Sequence, residues 1–336
     1  MRQGRELARS TKQFASEQRG RSWIHLGTTV AAAAALIAVI CADVSWMLRL
    51  AASVILALVH VRLFVIYHDF QHGAILQNSA VARCFLSLYG LLTLSPPSAW
   101  KHSHDDHHLN NSRHSGSESV GAFPVMTVDE FRTAPFAKRT YYRVARHPIT
   151  IAFGYLTIFL LGFCIVPVVE NWRKHLDAIA AIVLQLGLVV SLAVWRPDLL
   201  WFGLLVPSLI GSAFGSYLFY AQHAFPGVKL RFDDDWDHVQ AALHSSSFLR
   251  MGPVMNWFTA NIGYHHVHHL NSRIPFYRLP EVMAANEDLQ SPMTTTLRLR
   301  DVARCLRLNL WDPDADRFVS YAEARRRSAR RVPVAV

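Results

Sequence analysis

Eighteen histidines occur in this chain of 336 residues, and eight of them fall in three runs with helical ligand spacing. His68-Asp-Phe-Gln-His72 sets two imidazoles four residues apart. His104-Asp-Asp-His107-His108 and His265-His-Val-His268-His269 each set three at i, i+3 and i+4. On a helix these positions share roughly one face. His266 leaves in a different direction. Neutral imidazole is a strong ligand for iron, zinc and copper, so three such runs predict a shared metal centre. The competing explanation is a set of solvated histidine faces. It gives no reason for the runs to share a spacing and to flank the same membrane boundary.

The elements that must bring these runs together are apolar. The chain is 51% hydrophobic and carries a formal charge of +10, with its apolar residues gathered into long runs. That distribution predicts a membrane protein rather than a string of soluble domains. Cys41, Cys84, Cys164 and Cys305 are scattered without pair spacing, which gives neither a disulfide framework nor a thiolate metal site. The positive charge lies at the two ends and between apolar runs, as expected for segments facing anionic cytoplasmic lipid. No nucleic-acid-binding module accompanies it, so no nucleic acid partner is expected.

The fold class expected is an all-α integral membrane protein with four transmembrane helices, in-plane or re-entrant segments, and a cytoplasmic helical cap holding the histidines. Residues 1–22 form a basic arm, read as cytoplasmic and either lying on the bilayer surface or disordered. The membrane domain covers 23–280, with spans at about 23–42, 48–66, 178–195 and 199–221, each close to the length needed to cross the hydrocarbon. His60 and Arg62 lie near the end of the second span, where a long side chain can snorkel to the interface. If that helix continues, His68 and His72 emerge within two turns.

Cys84–Ala99 is short for a span, ends in Pro96-Pro97 and has Arg83 and Lys101 at its ends, so it is expected to return to the side it left. The loop Gly116–Thr140 is polar, irregular and flanked by arginines. Ile149–Val169 poses a parity problem, because the third run must reach the side that holds the first two. Arg196-Pro-Asp198 can only be a hairpin, so the spans on either side of it form a pair. Ile149–Val169 must then dip without crossing. The last span delivers His223 to the metal side as a further candidate ligand. A short helix is expected within Asp233–Leu249, and residues 281–336 are read as a basic cytoplasmic tail, solvated or touching lipid.

The three runs resemble the HxxxH, HxxHH and HxxHH boxes of membrane fatty acid desaturases. Gln222-His223-Ala-Phe-Pro226 looks like the extra histidine site of those enzymes. Asn261-Ile-Gly-Tyr-His-His-Val-His-His-Leu270, followed by Ile274-Pro-Phe-Tyr277, is most similar to the bacterial and plastid delta-12 (omega-6) acyl-lipid branch. The resemblance covers roughly Trp46 to Pro280.

It implies two non-haem iron ions on the cytoplasmic face, held by His68, His72, His104, His107, His108, His223, His265, His268 and His269. Dioxygen would be the co-substrate, and an acyl lipid or acyl thioester the substrate. Stearoyl-CoA-type enzymes place an asparagine four residues before the extra histidine to hold a metal-bound water, whereas this chain has Phe219 there. Gln222 and Asn261 are the candidates to replace it. Asp69, Asp105 and Asp106 are candidates to accept the second ring N–H of ligating imidazoles, or are simply solvated. No fused haem domain and no flavin or nicotinamide fingerprint is present, so a ferredoxin-type donor is expected, docking on the basic surface. A hydroxylase, ketolase or epoxygenase on the same scaffold is the first alternative. A non-enzymatic metal transporter or sensor is the second, although a transporter's ligands would sit within the spans rather than just beyond their ends. A bacterial inner membrane location completes the reading, with both termini cytoplasmic.

Overall fold

The computed structural model describes residues 2–115, 118–119 and 123–331. Part of the loop expected to be irregular (116–117 and 120–122) and the last residues of the basic tail (332–336) lie outside the described residues.

Four helices are long and apolar enough to cross a membrane: α1 (Arg19–Cys41), α2 (Trp46–Gln71), and later Leu176–Trp195 and Pro197–Ala221. They match the four expected spans to within a few residues at each end. The second helix does continue past the apolar run, so the first histidine pair rides on its final turn. Between them, α3 (Ala80–Leu92) and α4 (Pro97–Leu109) come first, and α5 (Phe136–Ala145) follows. A π-helix then occupies Tyr155–Ile165, ahead of α6 (Leu176–Trp195) and α7 (Pro197–Ala221). The short helices α8 (His238–Ser245) and α9 (His265–Leu270) complete the histidine-bearing cap.

Helices α2 and α7 form the central pair. They meet at Gly211, where a Cβ would lie 3.1 Å from the Ala57 carbonyl oxygen. A second close approach is at Gly154, just before the π-helix, where a Cβ would collide with the Ser216 side chain of α7. Both contacts need glycine for lack of space.

Both short apolar segments begin and end at the histidine end of the bundle. Helix α3 follows the first histidine pair, reaches inward until Tyr89 donates to the His60 carbonyl at 2.9 Å, and returns to Ser95, whose carbonyl accepts from Tyr67 at 2.8 Å. The π-helix segment enters at Ile151, packed with Tyr220 and Ala221. It leaves at His175, whose Nδ1 lies 2.8 Å from the Ser98 hydroxyl in the first turn of α4. Dips that start and finish on one side meet the parity requirement.

Three expectations are corrected. Arg62 does not snorkel to an interface. It is 2% exposed, and its guanidinium donates to Thr29 Oγ1 at 3.0 Å and to the Trp257 carbonyl while lying 4.4 Å over the Trp257 ring. Partners from two other segments satisfy the fork, which removes the reason to reach for water. The amino-terminal arm is not a disordered tail. Its helix and 3-10 turn pack on the cap, with Leu7 and Thr11 buried, Asn271 donating to Thr11 at 3.1 Å and Arg278 donating to the Phe14 carbonyl at 3.1 Å.

The carboxyl-terminal segment is not a solvated tail. Leu310–Asp312 and Arg317–Val319 pair as an antiparallel hairpin that buries Trp311, Phe318 and Val319. Arg146 anchors it by donating to the Leu308 carbonyl and to Tyr220 Oη, each at 3.0 Å. The adjacent apolar pairs Leu310-Trp311 and Phe318-Val319 give both faces of the hairpin apolar surface to bury.

Candidate metal centre

The nine candidate histidines converge from four places in the chain. His68 and His72 end α2. His104, His107 and His108 lie on α4, whose amino terminus is held by Asp177 of α6. That carboxylate accepts from the Ser98 backbone N–H at 2.8 Å and from the Ser98 hydroxyl. His223 follows the last turn of α7, and its Nδ1 lies 3.1 Å from the Ser245 carbonyl of α8. His265, His268 and His269 lie on α9, which is approached through consecutive left-handed residues, Ala260 (φ 44°) and Asn261 (φ 57°). His266 points away from the others and packs against Phe248.

The ring nitrogens gather into two groups. His68, His72, His104, His108 and His268 form one, and His107, His223, His265 and His269 form the other, with the potential ligand atoms of each group within 4.8 Å of one another. The division follows helix geometry. In each of the two longer runs, the i, i+4 pair joins one group and the i+3 residue joins the other. Adjacent residues such as His107 and His108 diverge by about 100° around the helix axis. The two groups abut, since His108 of the first stacks on His269 of the second at 4.3 Å.

Nitrogen spacing tests whether this donor set fits a metal. The Nε2 atom of His104 has three Nε2 neighbours, on His68 at 2.9 Å, His72 at 3.0 Å and His108 at 3.1 Å. His265 Nε2 has two, on His223 at 2.9 Å and His269 at 3.0 Å. An imidazole nitrogen offers either one proton or one lone pair, so hydrogen bonding cannot satisfy three such neighbours at once. Metal–nitrogen bonds of ~2.1 Å set at right angles place neighbouring nitrogens ~3.0 Å apart, against ~3.4 Å in a tetrahedron. The donors fit ions with more than four coordination positions.

Burial keeps the rings neutral, as ligands must be. It lowers the pKa of His104, His107, His108, His265, His268 and His269 well below the ordinary 6.5, and nearby imidazoles lower it further. His223 is pushed down to about 4 by burial, against the opposing effect of its bond to Ser245.

The three candidate aspartates diverge. Asp69 is buried and lies 3.0 Å from His68 Nδ1, and its other oxygen accepts from the Phe276 N–H at 2.6 Å. Asp105 pairs with Lys101, and Asp106 accepts from Asn110 at 2.9 Å. These two residues lie about 100° and 200° around the helix from His104, so they turn away from the site. Of the two amides, Asn261 donates to the Phe276 carbonyl at 3.2 Å and shapes the turn into α9. Gln222 is buried, donates to the Ile262 carbonyl at 2.9 Å, and lines a cavity with His265.

Two residues not anticipated from sequence complete the surroundings. Trp100 is buried and stacks on His104 at 4.5 Å. Its place one turn before His104 was the available signal. Asp177 had none, because it acts across the bundle from a different helix.

Two cavities open onto the histidines. A narrow apolar slot of about 70 Å³ runs inward between α2, α3, α7 and the π-helix, and both His68 and His265 line it. A wider cavity of about 560 Å³ lies on the other side of the π-helix, with Tyr141, Thr157 and Phe163 among its walls. The π-helix is the partition, turning Tyr155 and Phe159 to the slot and Thr157 and Phe163 to the wider cavity. The short segments that dip into the bundle therefore supply walls for both.

Acid should destabilise the metal-free protein. Burial holds His223 and His266 at about 4 in the folded state, against 6.5 when unfolded. Above 6.5 both states are neutral and the folded state has its full stability. As pH falls from 6.5 toward 4, the unfolded chain takes up protons that the folded site refuses, and stability is lost. Thermal unfolding in detergent across this range should show a falling midpoint, and a flat profile would contradict the assignment. Asp69→Ala should weaken metal retention roughly 10–100-fold, as measured by bound metal against chelator concentration. Asp105→Ala and Asp106→Ala should leave it unchanged.

Comparison with known proteins agrees with this geometry. The fatty acid desaturase family model matches residues 44–297. A "Fatty acid desaturase" of Bacillus subtilis is 31% identical over 345 aligned positions, covering 99% of this chain and 93% of that protein. The chloroplastic omega-6 fatty acid desaturases of Glycine max and Arabidopsis thaliana are each 24% identical, covering 68% of this chain and 53% and 50% of their own lengths. With a family model spanning all three histidine runs and a relative aligned along nearly its whole length, the chain belongs to the fatty acid desaturase family.

Proposed function

We propose that this protein introduces a cis double bond into an acyl chain held in the slot beside two iron ions. The observation that carries the reading is the pair of abutting nitrogen shells facing an apolar slot. His68, His72, His104, His108 and His268 would hold one ion, and His107, His223, His265 and His269 the other. Iron with dioxygen supplies the oxidant for an unactivated methylene, which no side chain can provide. Each turnover takes two hydrogens from the chain together with two electrons and two protons, consumes one dioxygen and releases two waters.

The protein's own part is placement. Phe64, Val65, Phe159 and Leu218 line the slot, exclude water and hold the methylenes against the histidine face. Asp69 holds the His68 ring in one orientation. The shell of four is one ligand poorer than its neighbour, and Gln222 would complete it directly or through water. Its amide donates to Ile262, which leaves Oε1 for the cavity it shares with His265.

The names of the two plastid relatives and the Ile274–Tyr277 stretch support an omega-6 (delta-12) bond position on an acyl lipid. Basic residues flanking the histidine end support a cytoplasmic orientation of that face and of both termini, in a bacterial inner membrane. Electrons would come from a separate acidic carrier of the ferredoxin type, steered by the chain's net positive charge.

The direct test is the fatty acid profile of a heterologous host membrane, wild type against His268→Ala, with double bonds located by gas chromatography and mass spectrometry. A new unsaturated acid should appear with the wild type alone, and its position reports the regiochemistry. A hydroxy or keto product would instead identify an oxygenase on the same scaffold. Turnover with an acidic iron–sulfur carrier should rise as ionic strength falls below physiological, where the screening length is about 8 Å. Turnover indifferent to salt would exclude electrostatic docking.

A further inference from the structure

The slot is apolar beside the histidines but not at its inner end. Two turns before His68, ~12 Å along α2, His60 lines the cavity. Ser208 and Ser212 of α7 line the same cavity. Among the described residues none of these three side chains makes a hydrogen bond, although serine in a helix commonly bonds the carbonyl one turn back, as Ser53 does to Arg49 at 2.7 Å. An ionisable residue at this depth in a span, without a partner, is unusual enough to call for a role. Between the two serines on α7, the backbones of α2 and α7 close together at Ala57 and Gly211. One turn nearer the histidines the slot is open, and a Cβ on Gly215 would meet no atom within 4 Å.

We propose that His60, with Ser208 and Ser212, forms a polar stop that sets how far an acyl chain enters, making His60 a specificity-determining residue. This rests on the acyl-chain reading of the slot. Unpaired polar groups inside a bilayer hold water strongly. A methyl terminus pushed among them would strip that water and return no hydrogen bond. The chain therefore settles in the apolar section between Val61 and Phe159, and its end is fixed by chemistry rather than by a wall alone. Gly215 sets the free width of that section.

The experiment is a chain-length series of saturated acyl groups supplied to a host, with conversion measured for wild type, His60→Leu, Ser212→Ala and Gly215→Leu. Iron per chain is determined for each. His60→Leu should shift preference to longer homologues, by roughly tenfold for each additional homologue admitted. Ser212→Ala, a gentler change, should shift it the same way by less. Gly215→Leu should favour the shortest homologues.

An unchanged length profile in both His60→Leu and Ser212→Ala, with iron retained and wild type active, would overturn the polar stop and leave the desaturase reading intact. Loss of all conversion in His60→Leu at full iron content, with no length shift in Ser212→Ala, would also overturn it, pointing to a role in the reaction itself. Absence of any double bond with wild type would overturn the desaturase reading, and the inference with it.

Discussion

Nine imidazoles with their nitrogens turned toward one another are the constraint on which the rest of the structure depends. Lone pairs held ~3 Å apart repel unless a cation sits among them, and burial denies the rings the protons that would relieve this another way. The arrangement has to be held by its surroundings. Asp177 pins the amino terminus of α4, Ser245 and Ser247 fix the turn after α7, and Asp69 ties the end of α2 to Phe276. Each tie joins a histidine-bearing segment to a different part of the chain, so no single segment could assemble the site.

The bilayer explains the form of the scaffold. Lipid offers no partners for backbone groups, which leaves helices as the usable element. A closely packed bundle of straight helices leaves no room for a ligand. Here the space comes from irregularities. A π-helix of wide bore divides two cavities, a helix of thirteen residues stops part way in, and glycines at 154 and 211 let neighbours close tightly on either side. π-type turns are costly and recur at functional sites, which agrees with this one facing both cavities.

Buried arginines organise the periphery. Arg62 joins α1, α2 and the turn before the last histidine run, and Arg146 joins α5, α7 and the carboxyl-terminal hairpin. Each serves several acceptors and lies against aromatic rings, although Arg146 Nε is buried without a partner. Together with the amino-terminal strap, they turn polar ends of the chain into a cap over the histidines.

Local spacing determined a good deal. The i, i+3 and i+4 histidines, the four apolar runs and the parity of the dip at Ile149–Val169 depend on one element at a time, and all could be read from the chain. The assignment of histidines to two groups follows from helical rotation once both runs are placed, but their partners are not local. His223 joins His107 and His265, residues more than forty positions away, only because α7 ends beside α9. Asp69 touches an imidazole while Asp105 and Asp106 do not, a difference set by which helix face meets the cluster. Arg62, Asp177, the strap from Leu7 to Ser16 and the Trp311 hairpin carry no periodic signal, because their partners lie across the fold. Sequence determined the candidate ligands and the membrane elements through short-range geometry. Tertiary packing alone decided which nitrogens share a centre, which carboxylate orients one, and where the slot ends.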